Sequence, residues 1–160
     1  EYTEKAVAQL PSYTPALRKL IDVQQKSMEN EFNPKRRSEL EAQIASNLTK
    51  IVAQDPNDRA SSLTLARFLF THADPLIHTQ KISQAENLAR QFVDKSKFAD
   101  AESVRLLFDI QARQGKLVKA EETLNQGLAA NPGFPLLLEA KRQLEIIRGI
   151  EDEETAKAAE

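Results

Sequence analysis

The fold class is decided by one stretch of sequence, KAEETLNQGLAANPGF at residues 119–134. Small and apolar residues recur in it at steps of three and four, which places them on one face of a helix: Ala120, Leu124, Gly127 and Leu128. Pro132 has no backbone N–H and disfavours helical geometry in the residue before it, so the helix ends near that point. The same order, an amphipathic helix and then a proline, occurs at Pro11 and Pro56.

The composition favours an all-helical protein. Among 160 residues there are only 4 Gly, whereas helix formers such as Ala, Leu, Glu and Lys are abundant. The net charge of -2 gives no general attraction to nucleic acid or to an anionic membrane. The absence of cysteine excludes disulfides and thiolate metal sites, and no apolar run is long enough to span a bilayer. We therefore predict an all-α chain with no nucleic-acid partner and no direct membrane insertion, in a compartment that the sequence leaves open.

The residues after each proline also match. Apolar residues on one helical face follow Pro11 and Pro56, and a third copy follows the same offsets without a preceding proline: Ala16, Leu17, Leu20 and Ile21; Leu65, Ala66 and Leu69; Val104, Leu107 and Phe108. In the third copy Gly115 lies between two helical patterns. A residue in the left-handed conformation ends a helix there, and glycine adopts that conformation with little strain because it has no Cβ atom. The pattern therefore predicts that each unit is a helix, a tight turn and a second helix.

This pattern resembles the tetratricopeptide repeat (TPR) family over residues 1 to about 135. The third unit carries the closest match at Leu107, Phe108, Gly115, Ala120, Leu124, Gly127 and Pro132. The interval from Pro11 to Pro56, and the interval across two units from Pro56 to Pro132, both exceed the family period of about 34 residues per unit. They indicate one insertion around residues 27–38 and another around residues 72–80. The resemblance implies a right-handed superhelix of antiparallel helix pairs, a TPR-like α-solenoid, with a C-terminal capping helix.

We predict helices near residues 14–30, 35–54, 58–73, 80–95, 99–114, 117–130 and 135–157. Residues 1–10 are predicted to be the end of a truncated repeat, which implies that further repeats precede it in a longer parent chain. Residues 1–134 then hold about three helix pairs, and residues 135–160 hold the capping helix and an acidic tail.

In such an array the first helix of each pair lines a concave groove. The positions not used for packing in the second unit are Leu63, Arg67 and Phe70. The same offsets give Arg18, Asp22 and Gln25 in the first unit, and Glu102, Arg105 and Asp109 in the third. Arg18–Asp22 and Arg105–Asp109 are predicted i,i+4 ion pairs. No acidic residue lies three or four positions from Arg67. Phe70 has an alternative to facing the groove, which is burial under the insertion around residues 72–80. We expect partner binding at Leu63, Arg67, Phe70, Arg105, Asp109 and Arg18.

No motif for catalysis or for a cofactor is present, so we predict neither enzyme activity nor a bound cofactor or metal. Three groups of polar residues have an alternative interpretation as ligand-binding sites. His72, Asp74 and His78 could ligate a metal. The run Lys35–Arg37 could contact an anion or nucleic acid, and Glu151–Glu154 could bind calcium or a basic partner. We favour ordinary solvated side chains for all three.

The predicted function is a non-enzymatic protein–protein interaction scaffold that binds a peptide or a helix in the concave groove. One alternative is a structural or self-assembly module, as a homo-oligomer or in packing between domains. Another is a regulatory appendage of a larger protein, including one with a membrane anchor.

Overall fold

A computed structural model describes residues 4–5, 13–74 and 76–158, with side chains up to Gly149. Seven helices and no strands occur in residues 13–74 and 76–158, which confirms the all-α prediction: α1 (Thr14–Glu29), α2 (Pro34–Gln54), α3 (Arg59–Thr71), α4 (Thr79–Ser96), α5 (Ala101–Arg113), α6 (Leu117–Ala130) and α7 (Pro135–Ala158). Each lies within two residues of its predicted bounds. The predicted helix end over residues 1–10 lies outside the described residues, apart from Glu4 and Lys5, which are helical.

Side chains at the helix starts explain where three of the helices begin. The side-chain oxygen of Asn33 accepts hydrogen bonds from the backbone amides of Lys35 and Arg36 at the start of α2. Asp58 and Asp100 accept from amides in the first turns of α3 and α5. These caps satisfy amides that have no partner within the helix, and all three are residue types that favour this position.

The chain divides into two compact units, Glu1–Asp74 and Pro75–Glu160. In unit 1, α2 packs against both α1 and α3. Its buried apolar residues include Leu17, Ile21, Ile44, Leu48 and Ile51. In unit 2, α5 packs against α4, α6 and α7, and α6 also packs against α7. Its largest fully buried side chains include Val104, Leu107, Phe108, Leu124 and Leu137.

The arrangement of α5, α6 and α7 explains the small residues of the third predicted repeat. Gly115 has φ +72 in the turn between α5 and α6, as its position in the sequence predicted. Ala120 is fully buried, and Gly127 lies against Val104 and Leu137. The predicted capping helix α7 packs on α5 and α6 within unit 2. The predicted second pair, α3 and α4, is divided between the two units at Asp74–Pro75.

The break between α4 and α5 was predicted, but the backbone conformation of its turn was not. Lys97 and Phe98 both have left-handed backbone conformations, with φ 50 and φ 65. The side-chain amide of Asn131 donates to the carbonyl oxygens of Phe98 at 2.8 Å and Gly127 at 3.1 Å. Asn131 therefore joins this turn to the end of α6.

Candidate interaction site

The prediction that Leu63 faces a groove is wrong. Leu63 is only 2% exposed, because α3 buries residues on two adjacent faces rather than on one. Apart from Arg59, its first residue, the exposed positions of α3 form a narrow stripe at helical spacing: Ala60, Thr64, Arg67 and Thr71. The sequence indicated only one apolar face because Ser61 and Ser62, which are also buried, are polar.

Arg67 and Phe70 remain on or near the surface of α3. Arg67 is exposed and Phe70 is half-buried. Each makes an interaction within the chain. Their role in binding stays a prediction.

Arg18 has a different partner from the predicted one. Its guanidinium Nη2 donates to the Asp58 carboxylate, not to Asp22. Asp58 also accepts from the amide of Ser61 at 3.1 Å and from its hydroxyl at 2.7 Å. Partial burial acts to raise the pKa of Asp58, but the hydrogen bonds from Ser61 and the charge of Arg18 outweigh it and lower the pKa. One carboxylate thus caps α3 and ties α1 to it.

A cleft of about 280 Å³ lies in unit 1 where α1, α2 and α3 meet. It is lined by Arg18, Ile21, Asp22, Gln25, Leu48, Ile51, Ser61 and Thr64. Three of these, Arg18, Asp22 and Gln25, are the groove positions predicted for the first unit. We call this feature the unit 1 cleft. Its base is aliphatic, because Ile21, Leu48 and Ile51 are buried core residues that also line it.

Arg105 pairs with Asp109 on its own helix, α5, and also contacts α7 in unit 2. The predicted pair between them is present, with Nε of Arg105 at 2.9 Å from Asp109 Oδ1. The same guanidinium donates to the carbonyl oxygen of Leu136 at 3.0 Å and to Oε1 of Gln143 at 2.7 Å. The Arg105 side chain is 16% exposed, so its donors are directed mainly within the unit. This geometry makes Arg105 a structural tie between two helices.

The three polar groups with alternative readings have ordinary local contacts where they are described. Nδ1 of His72 lies 2.9 Å from the carbonyl oxygen of Phe68, and the two rings stack. Within the described residues, no cluster of three or more histidine and carboxylate side chains could hold a metal ion.

In the basic run, Arg36 lies 3.3 Å from Glu31 and Arg37 lies 3.6 Å from Glu41. The side chains of Glu151–Glu154 lie outside the described part.

Sequence reasoning missed Glu86 on α4, which is 8% exposed and is the most buried carboxylate among the side chains that the structure describes. It accepts hydrogen bonds from Arg90 at 2.8 Å, from Lys116 at 2.9 Å and from Gln114 at 3.1 Å. Burial acts to raise the pKa of Glu86, but these three donors and the Lys116 charge lower it overall. The i,i+4 spacing of Glu86 and Arg90 was readable from the sequence, whereas the contacts with Gln114 and Lys116 arise from tertiary packing.

Comparison with protein-family models, with curated proteins and with solved structures gave no match. The resemblance to the TPR family therefore rests on the residues of this chain alone. None of the helices in the described part is both long and apolar enough to cross a bilayer.

Proposed function

We propose that this chain is a non-enzymatic protein–protein interaction module that binds a peptide or helix, and that a binding site is the unit 1 cleft. The observation that carries the proposal is the composition of that cleft. An aliphatic base is bordered by Asp22, Gln25 and Thr64, which combines apolar contact area with polar groups that fix orientation. Its volume of about 280 Å³ is sufficient for one inserted side chain of a partner.

Further support comes from how the walls are held. Arg18 and Asp58 join α1 to the start of α3, and α2 packs against both helices. A cleft with walls that are already tied together loses little conformational entropy when a ligand enters. Arg67 lies three positions after Thr64 on the exposed stripe of α3, so the same ligand can extend along that helix.

Self-assembly is the second candidate, and one observation in unit 2 favours it. Leu76 and Ile77, in the loop before α4, are 90% and 74% exposed. Two adjacent aliphatic side chains in solvent are unfavourable unless another surface covers them. Light scattering after size-exclusion chromatography tests this candidate. A dimer that Leu76→Asp and Ile77→Asp convert to monomer would support assembly.

The leading proposal is tested with 12-residue peptides selected on the protein from a random display library. Their affinities are then measured by fluorescence anisotropy for the wild type and for Thr64→Trp, which fills the cleft. Thr49→Trp is the matched control. Both threonines are exposed, and each hydroxyl donates to the carbonyl four residues earlier at 2.7 Å, but Thr49 does not line the cleft.

We expect Thr64→Trp to weaken binding at least tenfold and Thr49→Trp to change it less than twofold, with circular dichroism unchanged in both. Arg67→Ala is expected to weaken binding as well, because an arginine near an anchored side chain commonly contributes to affinity. Equal affinities for the two tryptophan variants would place the binding site elsewhere and overturn the proposal.

A further inference from the structure

The unit 1 cleft carries charge as well as shape. Arg18 and Asp22 are the two charged residues that line it. Arg18 forms an ion pair with Asp58, and this pair neutralises the positive charge of Arg18. The same contact favours the ionised form of the Asp58 carboxylate. In the part of the chain that the structure describes, Asp22 makes no hydrogen bond or ion pair. The carboxylate of Asp22 is therefore the uncompensated charge of the cleft.

Hydrogen-bond acceptors accompany that charge. The Thr64 hydroxyl uses its proton in the bond to the carbonyl oxygen of Ala60, so its lone pairs remain available. Gln25 offers a side-chain carbonyl and is half-buried. With Asp22, the cleft lining thus presents acceptors from three side chains. Lys19 and Lys26 lie near Asp22 on α1 but do not line the cleft.

We propose, resting on the function proposed above, that the unit 1 cleft takes a lysine side chain from the partner peptide. The four methylene groups of lysine would contact the base formed by Ile21, Leu48 and Ile51, because a lysine stem is apolar while its end is charged. The ammonium would donate its three hydrogens to Asp22, Gln25 and Thr64. A glutamate in the same place would meet the Asp22 carboxylate and is disfavoured.

The test uses the selected peptides and a double-mutant cycle. Each peptide is resynthesised with its lysine replaced by norleucine, which keeps the stem and removes the charge. Every peptide is measured against wild type and Asp22→Asn. We expect norleucine to weaken binding at least tenfold to the wild type and less than threefold to Asp22→Asn.

Two results would overturn the inference while leaving the proposed function intact. One is a set of selected peptides that respond to Thr64→Trp but contain no shared lysine. The other is a norleucine effect that is equal in wild type and Asp22→Asn. If no selected peptide responds to Thr64→Trp, the proposed function itself fails.

Discussion

A Cβ atom at Gly127 would lie 2.4 Å from Cγ1 of Val104, well inside the distance at which two carbon atoms touch. Val104 is fully buried and β-branched, so it has few rotamers with which to move away. The next nearest atom, Cδ1 of Leu137, would lie at 3.4 Å. The absence of a side chain at Gly127 thus lets α5, α6 and α7 come together at this point.

Gly127→Ala should therefore destabilise the protein by about 0.5–2 kcal/mol. Alanine favours the helix by up to about 1 kcal/mol, but overpacking a filled core costs about 1–3 kcal/mol. Gly149→Ala is the matched control, because Gly149 is also helical and has nothing within 4 Å of the added Cβ. That change should be neutral or stabilising in urea unfolding. If Gly127→Ala is also stabilising, the close approach to Val104 does not exist in solution.

The adjacent pair Ser61 and Ser62 should respond in opposite directions to alanine. The Ser61 hydroxyl donates to Asp58 at 2.7 Å, whereas Oγ of Ser62 is buried and finds no hydrogen-bond partner within the described residues. A buried hydroxyl without a partner costs about 1–3 kcal/mol. We expect Ser62→Ala to raise the free energy of unfolding by about 0.5–2 kcal/mol and Ser61→Ala to lower it. Equal losses from both variants would mean that Ser62 has a partner.

Arg105 should matter for stability through its contacts with α7. Arg105→Ala removes donors to Asp109, Leu136 and Gln143, and hydrogen bonds from charged groups typically contribute about 1.5–3 kcal/mol. We expect a loss in that range by chemical denaturation. Arg142→Ala on α7 is the control, since Arg142 is 73% exposed and its bridge to Glu139 spans 3.7 Å. That change should cost less than about 0.5 kcal/mol. If Arg105→Ala lowers the free energy of unfolding no more than Arg142→Ala does, the contacts of Arg105 with α7 are not formed.

Glu86 should make the protein less stable in acid. Its pKa in the folded protein is lower than the ordinary value of 4.5, so the folded state favours the ionised carboxylate. The resulting stabilisation is present above pH 4.5 and is lost as the pH falls through the lowered folded-state pKa. Glu86→Gln should therefore be less stable than wild type near neutral pH, and the gap should narrow as acid is added. Urea unfolding across this range measures it, and a gap that stays constant would contradict the assignment.

Much of the helical layout could be predicted because it depends on local chemistry. Apolar residues at three- and four-residue steps gave the helices, prolines gave their ends, and Gly115 gave the turn before α6. The capping residues Asn33, Asp58 and Asp100 are likewise recognisable from neighbours within three positions. These features need no knowledge of which helix packs on which.

The candidate site was predicted only in part, because facing directions depend on what packs around each helix. Arg18, Asp22 and Gln25 line the unit 1 cleft, whereas the concave groove that their spacing predicted stays a prediction. Leu63 did not follow the same rule, since α3 is buried on two faces.

The sequence by itself determined the helices and their turns, since each depends on residues within a few positions of one another. Only the tertiary structure decided that Arg18 pairs with Asp58 across 40 positions, that Arg105 ties α5 to α7, and that Glu86 meets Lys116. Ion pairs between helices depend on how the helices cross, which no pattern of neighbouring residues reveals. Which groups become partners is fixed when the helices pack and bring charges that are far apart in sequence within a few ångströms of each other.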